Sequence, residues 1–201
     1  MNSPNDHLPT NKDCFVHEST YVDGGCKIGS GTKIWHFSHV MTNTIIGEHC
    51  NIGQNVVIGP DVNIGKYCKI QNNVSVYEGV TLEDGVFCGP SMVFTNIYNP
   101  RAEIKKMDQV RLTLVKKGAT IGANATVVCG VTLGRYCFIG AGAVVNKDVF
   151  DHALIVGNPG KQIGWACNCG ERLSEDLNCP GCGKRYDVCA AGIKQVPEEL
   201  Q

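Results

Sequence analysis

The plainest chemical signal in the chain is a set of cysteines near its C-terminal end. Trp165-Ala-Cys167-Asn-Cys169-Gly170 is followed by Cys179-Pro-Gly-Cys182-Gly183. The second pair has the Cys-x2-Cys spacing that puts two thiolates on one tight turn, with glycine allowing the reversal. The first pair is Cys-x-Cys, one residue tighter than in most ribbons. Together Cys167, Cys169, Cys179 and Cys182 predict a closed, structural zinc site with about one ion per chain, and Cys189 is an alternative member of the first pair. A four-sulfur site leaves no open position for catalysis. The tail that carries it, residues 164–201, is too short to fold around its own core without metal. It either docks a partner enzyme or caps the end of the preceding domain.

A second group suits binding and proton transfer. His36 is an imidazole with Trp35 beside it, and Gln71, Asn73, Tyr77 and Glu78 follow. An ordinary imidazole pKa near about 6.5 suits a general base, while the other role open to His36 is to bind a nucleotide or cap a turn. Gln71, Asn73, Tyr77 and Glu78 are candidates for sugar hydroxyls or a base, and Arg101 or Lys105 for an anionic group. His17, His49 and His152 read as surface residues.

These groups are positioned by a repeat. From Val16 an aliphatic residue recurs at every sixth position: Val16, Val22, Ile28, Ile34, Val40, Ile46, Ile52, Ile58, Ile64, Ile70, Val76 and Leu82, with Cys88 in the same phase. A small or β-branched residue stands four positions after each, as at Thr20, Cys26, Thr32, Ser38 and Cys50. The phase restarts at Val115 and runs through Ile121, Val127, Leu133, Ile139 and Val145. The small residue and the next aliphatic are two apart, so both face inward from one short strand. The residues between them must turn the chain, which suits Gly, Asn and Asp. Short strands stacked coil on coil make a solenoid. An antiparallel sandwich shows spacings of about 8–12 residues rather than a strict six.

The predicted fold is therefore all-β, a parallel β-helix of hexapeptide repeats over residues 16–163 with a small zinc-ribbon-like tail over 164–201. A polar leader occupies 1–15, and an insertion loop over 94–114 interrupts the repeat. Resemblance to the hexapeptide-repeat acyltransferases implies a left-handed helix with three hexads per coil, in which residues eighteen apart stack. One outward face carries Lys33, Asn51, Lys69 and Phe87, and another Lys27, Ile45, Asn63 and Thr81. The last carries Tyr21, His39, Val57, Ser75 and Val93, none of them charged at neutral pH, which is what contact with a neighbouring subunit needs. The loop should leave just above the corner of Tyr77, Glu78 and Gly79, and the neighbouring corner should stack His36, Gln54, Asn72 and Pro90, so that amides, a carboxylate, an imidazole and the loop converge on one region.

Bulk composition excludes other classes. Eighteen Lys and Arg against nineteen Asp and Glu give no electrostatic footprint for nucleic acid. No apolar run approaches the roughly 18 residues of a spanning helix, so membrane insertion is not expected. The leader lacks the basic-then-apolar order of a signal peptide, which points to the cytoplasm. Twelve cysteines do not contradict this, because in a reducing compartment none needs to pair.

The hexads resemble those of the hexapeptide-repeat acyltransferases, whose helix is triangular in section, which are typically trimers, and which lay acyl-CoA in the groove between adjacent helices. A narrower resemblance rests on Ile34-Trp-His-Phe-Ser-His39, Ile70-Gln-Asn-Asn-Val-Ser-Val-Tyr-Glu-Gly79, Val86 to Arg101, and Gly142-Ala-Val-Val-Asn-Lys-Asp148. These are similar to the bacterial UDP-2-acetamido-3-amino-2,3-dideoxyglucuronate N-acetyltransferases of O-antigen synthesis. The resemblance implies acetyl transfer from acetyl-CoA to the 3-amino group of a UDP-linked amino sugar acid by a homotrimer. It also implies that Asn96 sits beside the acceptor amine, and that the coenzyme sulfur itself can take the proton. Within that reading, Gly122, Ala123, Gly140, Ala141 and Gly142 leave backbone bare for the pantetheine, and Lys147 and Lys161 are candidates for the coenzyme phosphates. The other readings are an acyl-CoA transferase acting on a different amino sugar, and a γ-type carbonic anhydrase or scaffold.

Overall fold

The computed structural model describes residues 13–197, so most of the expected leader lies outside the described residues. Two-residue strands alternate with turns and wind into a left-handed parallel β-helix. Three sheets form its faces, with strands joined eighteen residues apart, as in Lys33↔Asn51, His39↔Val57 and Lys27↔Ile45. The three expected residue columns are those of the three sheets. We refer to the column of Lys33 as the first face, that of His39 as the uncharged face, and that of Lys27 as the second face. The uncharged face continues upward through Thr126 and Val144.

The hexad alphabet follows from this geometry. Ile34, Ile52 and Ile70 stack fully buried inside one sheet, as do Val40, Ile58 and Val76 inside the next. At the small positions a hydroxyl or thiol satisfies a turn carbonyl of the next coil: Thr32 donates to Gly47 at 2.8 Å, Ser38 to Gly53 at 2.9 Å, and Cys50 to Gly65 at 3.1 Å. These buried groups therefore carry no unpaired donor. Burial pushes the Cys88 and Cys137 thiols up to about 12, which keeps them protonated and inert. Each corner also needs one left-handed residue, supplied by Asn43, Asn55, Asp61 and Asn73, and less cheaply by Phe37 and Tyr67. Gly53 has a different reason: a Cβ there would stand 2.8 Å from the Asn72 backbone nitrogen of the coil above.

The insertion is shorter than the phase break suggests. Val80 pairs with Thr113 and Val93 with Thr126, thirty-three residues on instead of eighteen, so fifteen extra residues leave the coil. Phe94 remains in the solenoid as a 1 % exposed core residue, and Thr113–Val115 is already strand. The loop contains one 3-10 turn, Met107–Gln109. At the far end the last coil shortens to sixteen residues, Phe138↔Leu154. The strand Ala153–Val156 then folds back as an antiparallel hairpin with Lys161–Trp165. The tail follows, with its own hairpin of Tyr186–Cys189 and Gly192–Gln195.

Candidate active site and sulfur cluster

The corner between the first and uncharged faces stacks His36, Gln54, Asn72 and Pro90, as expected. The His36 carbonyl accepts the Asn55 N–H at 2.9 Å, Gln54 accepts that of Asn73 at 3.1 Å, and the Asn72 side chain caps the Gln54 N–H at 2.9 Å. We call this corner the amide edge. Its lower end is aromatic: the His17 ring stacks on His36 with centroids 3.6 Å apart, and Trp35 donates through Nε1 to Asn51 at 2.7 Å. A crevice of about 240 Å³ runs between Trp35, His36, Gln54, Gln71 and Asn72. His17 is thus half-buried against the candidate base, a contact that only the stacking of coils creates.

Continuing up the same edge, Pro90 leads to Gly122 and Ala123, then to Gly140, Ala141 and Gly142. The Pro90 carbonyl accepts the Asn124 N–H, and that of Ala123 accepts the Gly142 N–H at 2.9 Å. Coil stacking by itself requires Gly122, since a Cβ there would stand 2.5 Å from the Ala141 nitrogen. The N–H groups of Ala123 and Ala141 have no hydrogen-bond partner among the described residues. The turn before Lys161 closes over the top of this edge, with the Gly160 N–H on the Val144 carbonyl at 2.7 Å.

The other expected residues lie on a different corner, between the uncharged and second faces. Here Tyr77, Glu78 and Gly79 sit beneath the inserted loop, and Lys147 belongs to the same corner one coil from the end. Asn96 stands at the loop's departure, its carbonyl taking the Arg111 N–H at 3.0 Å, while the neighbouring Thr95 hydroxyl accepts the Cys129 N–H at 2.9 Å. Val110 closes over Gly79, and the Arg111 guanidinium lies 4.2 Å from the centre of the Tyr98 ring. A cavity of about 540 Å³ opens between Glu78, Gly79, Val110 and Leu112. Arg101 is fully exposed farther out on the loop.

The expected convergence on one region therefore divides. Within one protomer the uncharged face, one outward side chain wide in each coil, separates His36, Gln71 and Asn73 from Glu78 and Asn96. Eighteen-residue counting assigns the two groups to neighbouring corners, and the structure has them there. On the face between them, His39 Nε2 meets the Asp23 carboxylate at 3.1 Å, a partner that Asp23 supplies from the corner below.

In the tail, the four sulfurs of Cys167, Cys169, Cys179 and Cys182 lie within 4.8 Å of one another, and Cys189 is not among them. The Tyr186 hydroxyl is 3.1 Å from Cys167 Sγ and accepts the Asn168 N–H at 3.0 Å. Burial resists ionisation of Cys167, but the Cys169 N–H and the Tyr186 hydroxyl outweigh it and bring the thiol down to about 6. His152, expected at the surface, is instead buried at 6 % exposure, between Tyr136 and Tyr186.

Known proteins share this architecture. The family described as bacterial transferase hexapeptide (six repeats) matches residues 25–60 and 113–147, and the hexapeptide repeat of succinyl-transferase matches 43–78. The chain is 39 % identical over 185 residues to the dTDP-3-amino-3,6-dideoxy-α-D-galactopyranose 3-N-acetyltransferase of Aneurinibacillus thermoaerophilus, covering 91 % of this chain and 95 % of that one. Among solved structures, the acetyltransferase domain of PglB from Neisseria gonorrhoeae FA1090, in complex with acetyl coenzyme A, superposes with a TM-score of 0.53 at 18 % identity, over 75 % of this chain and 58 % of that one. A hexapeptide transferase family protein from Anaplasma phagocytophilum gives 0.53 at 17 %, over 74 % and 80 %. At such identities the two structures speak to fold alone. The near full-length relative speaks to more, and with the repeat it shows that the chain belongs to the hexapeptide-repeat acetyltransferases, enzymes that depend on acetyl-CoA.

Proposed function

We propose that the protein transfers acetyl from acetyl-CoA to the 3-amino group of a nucleotide-linked amino sugar, and that the acceptor is UDP-2-acetamido-3-amino-2,3-dideoxyglucuronate, a precursor of O-antigen or a related surface glycan. The observation that carries the reaction type is the near full-length relationship to a 3-N-acetyltransferase of a nucleotide sugar. Two features support the uronate. Arg101 and Lys105 are exposed on the loop and enter no ion pair among the described residues, leaving cations for a carboxylate. The motifs around Trp35, Tyr77 and Asn96 support the same acceptor.

The chemistry asks for little. A neutral amine attacks the thioester carbonyl, the oxyanion needs donors, and the amine proton must leave. The bare N–H groups of Ala123 and Ala141 suit the pantetheine amides or the oxyanion, and Lys161 stands above them for a phosphate. Asn96 is positioned to hold the amine. His36 takes the proton or grips the nucleotide, and the departing thiolate serves where it does not. Because the bare upper amide edge and Asn96 sit on neighbouring corners of one prism, we place the complete site between subunits of a homotrimer. In cyclic packing through the uncharged face, the amide edge of one subunit meets the loop corner of the next. The exposed apolar residues of the loop, Leu112 at 77 % above all, support that cover. A cytoplasmic location suits the free thiols of Cys50, Cys68, Cys88 and Cys137 inside the solenoid, and among the described residues no helix is long and apolar enough to cross a membrane.

A second reading, favoured by the named relative, is a dTDP-3-amino-3,6-dideoxyhexose as acceptor. Release of free CoA thiol, followed with each sugar nucleotide, separates them. We expect kcat/KM at least about tenfold higher for the UDP uronate, since one charge-assisted hydrogen bond to its carboxylate is worth about 1.5–3 kcal/mol. A preference for the dideoxyhexose would transfer the assignment to that sugar.

A further inference from the structure

The tail carries a site independent of acyl transfer. Its two knuckles are built alike: Cys169-Gly170 and Cys182-Gly183 each reverse on a left-handed glycine, φ 97° and 73°, with open space where a Cβ would stand. The Gly170 N–H returns to the Cys167 carbonyl and that of Gly183 to Cys179, both at 2.9 Å. Across the knuckles, Cys167 Sγ is 3.5 Å from Cys182 Sγ, and Cys169 Sγ is 3.5 Å from Cys179 Sγ. A tetrahedron of metal–sulfur bonds about 2.3 Å long sets its corners about 3.8 Å apart, so a zinc ion fits with small adjustment, whereas disulfides need a far shorter approach. An all-sulfur donor set selects zinc or iron over harder cations. The apolar support is slight, with Leu173, Tyr186 and Ile193 packed against Cys167 and Cys179.

The tail is also fastened to the solenoid at several points. Trp165 packs against both the solenoid core and the tail's own cluster. The Ala166 N–H bonds the His152 carbonyl at 2.7 Å, and the Asp151 N–H bonds the Ala191 carbonyl at 2.8 Å. Gly192 is pressed onto the Asp151 backbone, where a side chain has no room. His152 Nδ1 donates to the Ala166 carbonyl at 2.9 Å, and its ring lies between Tyr136 of the last full coil and Tyr186, whose hydroxyl touches Cys167. A path of direct contacts thus runs from the sulfur cluster through Tyr186 and His152 into the coil that ends the helix. A solenoid needs a cover there, because its last coil has no neighbour.

We propose that Cys167, Cys169, Cys179 and Cys182 bind one zinc ion, and that the metal holds the tail in place as the cap of the β-helix. Of the two roles open to the tail, this geometry assigns the cap rather than a dock for a partner enzyme. The occupant of the solenoid end is the chain's own C-terminal segment.

Elemental analysis of the full-length protein, purified anaerobically without added metal, should find about one zinc per chain. Amide hydrogen exchange is then compared before and after zinc is withdrawn from the intact protein by a thiol-reactive mercurial and a chelator. Loss of zinc should raise exchange at Asp151 and Ala166 at least tenfold and leave the coils from Ile34 to Phe94 protected. Cys179→Ser should reproduce both effects, Cys189→Ser neither, and the chelation arm stands if Cys179→Ser does not fold. Iron or no metal in the purified chain would overturn the zinc site. Unchanged exchange at Asp151 and Ala166 after complete zinc loss would overturn the cap.

Discussion

His152 shows what a single side chain does at a junction. Burial holds its imidazole below the ordinary 6.5, against the opposing pull of the Ala166 carbonyl and the Asp151 carboxylate, and Tyr136 and Tyr186 supply the rest of its surroundings. The fold therefore requires the neutral ring. Above pH 6.5 the ring is neutral in folded and unfolded chains alike, and its contribution is complete. As pH falls below that value the unfolded chain takes up the proton first, so stability declines until the lower folded value is passed. His152→Gln keeps a donor for Ala166 and has no proton to gain. Thermal unfolding between about pH 7.5 and 5.5 should fall more steeply for the wild type than for this variant, while ionisation of the cysteines is common to both. Equal slopes would remove His152 as the group responsible. Its burial could not be read from the sequence, because it lies where the coil shortens from eighteen to sixteen residues and hexad counting no longer assigns a face. His36, deep inside the regular phase, was placed on its corner correctly; its stacking on His17 needed the coil below.

Elements show the same division between periodic and aperiodic. Strands, faces and stacking register were legible because one inward position in six must be filled in every coil. The loop was legible only as a break in phase. Its ends were misjudged at Phe94, an aromatic doing an aliphatic's work, and at Thr113, a buried polar residue whose hydroxyl accepts the Gly130 N–H at 3.2 Å. What fixes the loop is contact at two levels of one corner: Val110 lies on Gly79 and the Arg111 side chain on Gly130, both glycines with φ near 90°. Gly79→Ala is therefore disfavoured twice, by its left-handed backbone and by the space that Val110 fills. We expect it to cost about 1–3 kcal/mol of stability and to raise KM for the sugar acceptor more than for acetyl-CoA. Gly24→Ala, with no positive φ and nothing within 4 Å of its added carbon, should be close to neutral. Scanning calorimetry and steady-state kinetics on the two variants check the contrast. Similar losses in both would mean that the loop is not anchored at Gly79.

For the molecule as a whole, the proposed site is carried as two halves on different corners of one prism. The amide edge has the imidazole, the amides and the bare N–H groups of Ala123 and Ala141; the loop corner has Glu78 and Asn96. A cyclic trimer packed through the uncharged face sets the amide edge of one subunit beside the loop corner of the next at equal height, so Asn96 faces the level of Pro90 and Ala123, with His36 three coils lower. Such an assembly has a signature that a monomeric site cannot imitate. Ala141→Trp should block the coenzyme groove on one edge, and Asn96→Ala should disable the acceptor side on the other, so each homotrimer is nearly inactive. When the two variants are co-expressed in equal amounts, a site forms intact only where an Asn96→Ala subunit lends its amide edge to the loop corner of an Ala141→Trp neighbour. Random assembly makes about one site in four intact, so about a quarter of wild-type turnover should return. Sites contained within single subunits would give no recovery at any mixing ratio, and the shared-site arrangement would then fail.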